Sequence, residues 1–177
     1  MKKITKEWLE KENACIDGLE WFTKQNKEFE PIPLLKLLIE ENQLDWANWL
    51  IVRVMEYKQC VSYAVFAAEQ VIENYEKQYP DDKRPREAIE ASKKCIENPS
   101  KENKKTADRA ASAAWGAYNA AGSAAWAAYS ATGNAAYREA YWAAYWAAYW
   151  AAYWAADRAK TLKKILKYGI KLLTEGK

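Results

Sequence analysis

The chain has 177 residues, half of them apolar and 29% charged, which fits one globular domain with enough mass for a core that needs no metal or disulfide staple. It has no histidine and a net charge of only +3, which argues against histidine-based catalysis, a zinc site built from Cys and His, and DNA binding by bulk charge. Ten Trp and twelve Tyr stand against six Gly and five Pro, and few breakers with much Ala point to an all-α fold.

The opening "MKKITKEWLEKEN" is basic, but no apolar stretch follows it, so no secretion signal is expected. Cys15, Cys60 and Cys95 are far apart and odd in number, which predicts reduced thiols and a cytoplasmic setting. The first 80 residues read as short amphipathic helices. "TKEWLEKEN" is one. "NACIDGLEWFTKQ" is a second, with Cys15, Ile16, Leu19 and Phe22 predicted on one buried face. "EPIPLLKLLIEEN" is predicted to open after its two prolines. "LDWANWLIVRVM" offers Asp45 as an N-cap. "QCVSYAVFAAEQVIENYEKQY" is predicted as one longer helix, with Val61, Ala64, Val65, Ala68 and Ile72 inward.

"PDDKRPREAIEASKKCIENPS" punctuates the chain. Pro80, Asp81 and Asp82 predict a turn, Pro85 a helix start, and Asn98-Pro99 its end, with Ser100 capping the next helix. Residues 107–156 contain 24 Ala and 13 aromatics. "SAAWGAYNAAG" and "SAAWAAYSATG" are eleven-residue copies, each close to three helical turns. "YWAAYWAAYWAAYWAA" then repeats every four residues and drifts roughly 40° per step around a helix. Its Tyr and Trp rows make one half bulky, and its Ala rows make the other smooth. The predicted architecture is therefore a long Ala/Tyr/Trp-rich central helix wrapped by the N-terminal helices. The uncharged run of 17 residues around the tetrads is short for a membrane span and lacks Leu, Ile, Val and Phe, so no membrane role is expected. The closing "TLKKILKYGIKLL" predicts Leu162, Ile165, Leu166, Ile170 and Leu173 inward and Lys160, Lys163, Lys164, Lys167 and Lys171 outward. The whole chain reads as a single helical domain: N-terminal helices over 1–80, a turn and helix over 81–105, the repeat over 106–156 and a basic helix over 157–177.

Three groups are candidate binding residues. Asp81, Asp82, Arg84 and Arg86 form the densest polar group, either an ion-pair latch across a turn or a ligand contact. Arg109, Arg138 and Arg158 lie within or beside the aromatic tract, either marking where it meets solvent or gripping an anion. Tyr141, Trp142, Tyr145 and Trp146 are either core or a stacking surface, since Trp and Tyr are favoured both at protein interfaces and against nucleobases. The lysine row of the closing helix is a solvated face or a contact for an acidic partner or a phosphate. No catalytic group, metal set or cofactor motif is recognised.

"NACIDGLEWF", "LDWANWL", "YPDDKRPREAIEA", the Ala-aromatic repeat and "ILKYGIKLL" together resemble, in order and over most of the chain, a bacterial and phage family of immunity proteins grouped with polymorphic toxin systems. "PDDKRPREAIEA" is the most specific piece. The resemblance implies an all-helical fold and a stoichiometric binder: an immunity protein for a toxin, or a phage inhibitor of host defence. Where family members carry Arg within the repeat, this chain carries mainly Tyr and Trp. The expected partner is a protein target, with a nucleotide immune signal held between aromatics and Arg or Lys as the alternative. Self-association is left open.

Overall fold

Three asparagines set the rhythm of the N-terminal half. In the computed structural model, which describes residues 3–107, 109, 147–149, 151, 153 and 157–176, Asn13, Asn26 and Asn42 have φ of 59°, 49° and 59°. Each stands just past a helix, in the left-handed conformation that Gly or Asn adopts most readily. They close α1 (Lys6–Lys11), α2 (Ile16–Lys24) and α3 (Pro31–Glu40). After α1 and α3 the chain also folds back to bond the helix: Ala14 N–H donates to the Leu9 carbonyl and Gln43 N–H to the Leu38 carbonyl. Both prolines of "PIP" lie inside the first turn of α3, where no intrahelical donor is lost, rather than ahead of it.

α4 (Leu44–Val54) and α5 (Tyr57–Glu69) follow, then α6 (Ile72–Gln78) and α7 (Arg84–Glu97). The long helix expected over residues 59–79 is thus two. Its break lies at Gln70 and Val71, whose amides turn back to the Ala67 and Ala68 carbonyls. The β-branched pair Val71-Ile72 is a weak helix continuer, and the break buries Val71, Ile72 and Tyr75 together. Residues 101–107 are helical, and Ser100 Oγ accepts from the Asn103 amide as their cap. α8 (Arg158–Glu175) ends the described chain, with Asp157 Oδ1 accepting from the Lys160 amide at its start. No strand occurs among the described residues, only an isolated antiparallel bridge between Ile4 and Phe29.

α8 packs on α3, α4 and α5, and α7 packs on α5. Leu162, Ile165, Leu166 and Leu173 of α8 are buried in one core with Leu50, Ile51, Val61 and Ala64 among others. Burial of each such side chain contributes about 1.5–3 kcal/mol, against about 0–1 kcal/mol for an exposed ion pair. The apolar face therefore holds α8, and the lysines opposite contribute little to that hold. Gly169 sets the approach. A Cβ there would lie 2.6 Å from Ile51 Cδ1 and 2.7 Å from Tyr63 Cε2, so only glycine lets α8 come this close. Tyr63, fully buried, donates to Asn48 Oδ1 at 2.9 Å, joining α5 to α4 inside the apolar core.

Ile16 does not face the core. It is 74% exposed at the start of α2, while Phe22 of the same helix is buried. Of the tetrad tract, Ala147, Ala148 and Ala151 are buried, Tyr149 is half-buried and Tyr153 is half-exposed. At these positions the smooth face is the inward one. The rest of the expected central helix, with Trp142, Trp146 and Trp150, lies outside the described residues.

Candidate binding site

The turn from Asp81 to Arg86 is built around one carboxylate. Asp82 Oδ1 accepts from the Arg84 amide at 3.1 Å and from Arg84 Nε at 2.8 Å. Oδ2 accepts from Arg84 Nη2 at 2.6 Å and from the Tyr75 hydroxyl at 2.7 Å. Hydrogen bonds from the Arg84 guanidinium, then from Tyr75 and the Arg84 amide, hold the Asp82 carboxyl well below its usual range against the opposing effect of partial burial. Burial, with the bond to Asp82 second, pushes the Tyr75 hydroxyl up to about 12. Arg86 makes a two-point pair with Glu76 at 2.8 and 2.6 Å, tying α7 to α6, and Lys93 reaches Glu69 and Glu90, both at 2.8 Å. Asp82, Arg84 and Arg86 thus form an ion-pair latch among α6, the turn and α7. Asp81 is exposed beside it.

The aromatic-edge arginines separate. Arg158 donates from Nη2 to Asp45 at 3.1 and 3.3 Å, and its guanidinium lies over the Tyr149 ring at 5.2 Å. Asp45 is not the N-cap of α4. That place belongs to Gln43, and Asp45, one residue inside the helix, turns to Arg158 instead. Both partners are roughly half exposed, so the pair is weak and open to exchange with another anion. Tyr153 stacks beside Tyr149, ring centroids 6.2 Å apart and planes 17° from parallel. Asn42, Leu44, Asp45, Arg158, Ala159 and Leu162 line a notch of about 230 Å³ at this corner. Arg109 is exposed in helical backbone, away from any ion pair with a described residue. Arg138, Tyr141, Trp142, Tyr145 and Trp146 lie outside the described residues.

Running on from Arg158, Lys160, Lys164, Lys167 and Lys171 are exposed, and Lys163 is half-buried. Their spacing of four, three and four residues puts the exposed four in one row about 16 Å long. Lys171 pairs with Glu175 at 3.7 Å. Lys160, Lys163, Lys164 and Lys167 form no ion pair with any described residue.

An apolar cleft on the N-terminal helices carried no signal in the sequence. Trp21 and Trp46 meet at 6.0 Å between ring centroids, Trp8 and Trp49 at 6.3 Å. Trp21, Trp46 and Trp49, with Cys15, Gly18 and Leu50, line a cavity of about 50 Å³ open at one side. Trp21 comes from α2 and Trp46 and Trp49 from α4, so local spacing groups the last two but does not bring Trp21 to them. No group of acidic or thiol side chains able to hold a metal occurs among the described residues, and no described helix is long and apolar enough to cross a membrane. No protein-family model, curated protein or solved structure matches the chain.

Proposed function

We propose that the chain is a non-catalytic binding protein that neutralises a component of bacterial conflict, a toxin or a defence protein, by one-to-one association through the basic face of α8. The lysine row carries this reading. Lys160, Lys164 and Lys167 of that row form no ion pair with any described residue, and with Lys171 they present a line of positive charge that an acidic protein surface complements. A lipid surface is a poorer match, because amphipathic membrane helices insert their apolar face and that of α8 is buried in the core. A nucleic-acid duplex is poorer too, because residues 1–80 carry 14 acidic against 10 basic groups and would oppose a broad phosphate footprint. The target class rests on the resemblance to immunity proteins.

A second reading, a sponge for a nucleotide signal, is favoured by the Arg158 corner, where a guanidinium with an exchangeable partner adjoins the half-exposed Tyr153 ring. One experiment separates them. The protein is incubated with cyclic and linear nucleotides, desalted, heat-denatured, and the supernatant assayed. The protein-target reading expects no nucleotide carried through. Intact nucleotide at one per chain establishes the sponge instead, and chemically altered nucleotide shows turnover and defeats both.

A further inference from the structure

From Lys160 to Glu175, the exposed residues of α8 are Lys160, Lys164, Lys167, Lys171, Thr174 and Glu175. At helical spacing they all fall within about 100° of the circumference. The buried residues Leu162, Ile165, Leu166 and Leu173 occupy the opposite side. Half-buried Ile170 flanks the exposed stripe on one edge and half-buried Tyr168 on the other. Tyr168 is held by a stack on Phe66 of α5, with 4.0 Å between ring centroids. α8 therefore shows solvent a cationic ridge with an apolar shoulder on each side. Along the axis the four lysines stand at about 0, 6, 10.5 and 16.5 Å. Glu175, paired with Lys171 at 3.7 Å, ends the row with the opposite sign.

We propose that the partner element seated on this face is an α-helix carrying four acidic side chains spaced four, three and four residues apart. This rests on the reading of the basic side of α8 as the binding surface. Acidic residues at that spacing share one stripe of a helix and rise along it in the same steps as the lysines, so all four pairs form in one register. The spacing reads the same in both directions, so a parallel and an antiparallel partner meet it equally. An extended segment does not keep step. Its same-face residues recur every roughly 6.6–6.8 Å and stand about 3 Å out of place at the third lysine. Width points the same way. A helix is about 10–12 Å across with its side chains, enough to cover the ridge and rest on Tyr168 and Ile170, whereas a single strand about 5 Å wide covers the ridge alone. Glu175 fixes where the match ends, because a further acid one turn beyond the fourth would face a carboxylate.

The test is an amide chemical-shift titration at low ionic strength, where exposed charges are least screened, with three synthetic acidic peptides of equal charge. The first is an Ala-based helix with four glutamates at the spacing of the row. The second splits its glutamates between opposite faces of the same helix. The third keeps the matched glutamates and blocks the helix with prolines. Each exposed ion pair contributes at most about fivefold in affinity, and neither control can form all four. The matched helix is therefore expected to bind wild type about tenfold more tightly than either control and to shift the α8 amides between Lys160 and Lys171. It is expected to lose that advantage on the triple variant Lys160→Ser, Lys164→Ser, Lys167→Ser, whose own amide dispersion shows that it is folded. A control that binds wild type as tightly as the matched helix, with all binding lost from the triple variant, overturns the helical partner and leaves the acid-binding face standing. No binding to wild type by any of the peptides, or binding that the triple variant keeps, overturns both.

Discussion

Asp82 shows how one side chain can organise a turn without being a ligand site. Its two oxygens take four donors, one of them the hydroxyl of a Tyr75 that is only 3% exposed. Asp82→Ala strands that hydroxyl and the Arg84 groups, and should lower stability by about 1–3 kcal/mol in urea denaturation. Asp81→Ala, in solvent next door, should leave the midpoint unchanged. The pH dependence has a definite sign. A carboxyl held below its unfolded value stabilises the fold above about pH 4, and that contribution is lost as pH falls from there toward its folded value. The melting temperature of Asp82→Asn should therefore fall less steeply than that of wild type below about pH 4. The sequence "PDDKRPRE" announced the turn, the proline start and the ion pairs. It did not announce Tyr75 and Glu76, because these partners lie on the preceding helix and local pattern says nothing about which helix folds back. Asp45 was misplaced for a related reason. A cap is a local event, but Arg158 lies 113 residues away and draws the side chain outward.

Among the elements, α8 was the most legible. A row of Leu and Ile at 3–4 residue spacing with lysines opposite admits one orientation, and Leu162, Ile165, Leu166 and Leu173 are buried as that pattern requires. Its glycine was not legible as a contact. Gly169→Ala should destabilise by about 1–3 kcal/mol, because the methyl would meet Ile51 and Tyr63 inside a packed core. An unchanged melting temperature would mean that α8 does not approach α4 and α5 this closely. Gln59 makes a second link. Its Nε2 donates to the Leu172 carbonyl at 2.9 Å, which also accepts from the Gly176 amide at the end of α8, while its Oε1 accepts from the Glu56 amide at the start of α5. Gln59→Ala should cost about 0.5–1.5 kcal/mol, measured by thermal denaturation. The sequence misled where helix periodicity ran through a break. Val61 to Ile72 keep their inward spacing, yet α5 stops at Glu69, since periodicity marks a face and does not mark where the backbone turns. Ile16 misled in the opposite way. Its spacing matched the buried side of α2, but α1 and α4 cover only the Cys15, Gly18 and Phe22 side.

At the scale of the molecule, a core held by apolar burial carries a face that it does not need, the basic side of α8. Composition made the all-α class legible and pointed to charge at the C-terminal end, whereas the grouping of Trp21, Trp46 and Trp49 required the tertiary fold. Because the lysines of α8 contribute little to stability, they can be removed without unfolding the chain. The deciding measurement is quantitative capture from bacteria under toxin or phage challenge, using tagged wild type beside the triple variant Lys160→Ser, Lys164→Ser, Lys167→Ser. The expected result is one acidic protein recovered at one copy per chain with wild type, and its loss from the variant at an unchanged melting temperature. Equal recovery of the same protein by the variant, or wild type that protects cells while capturing no protein, would contradict it.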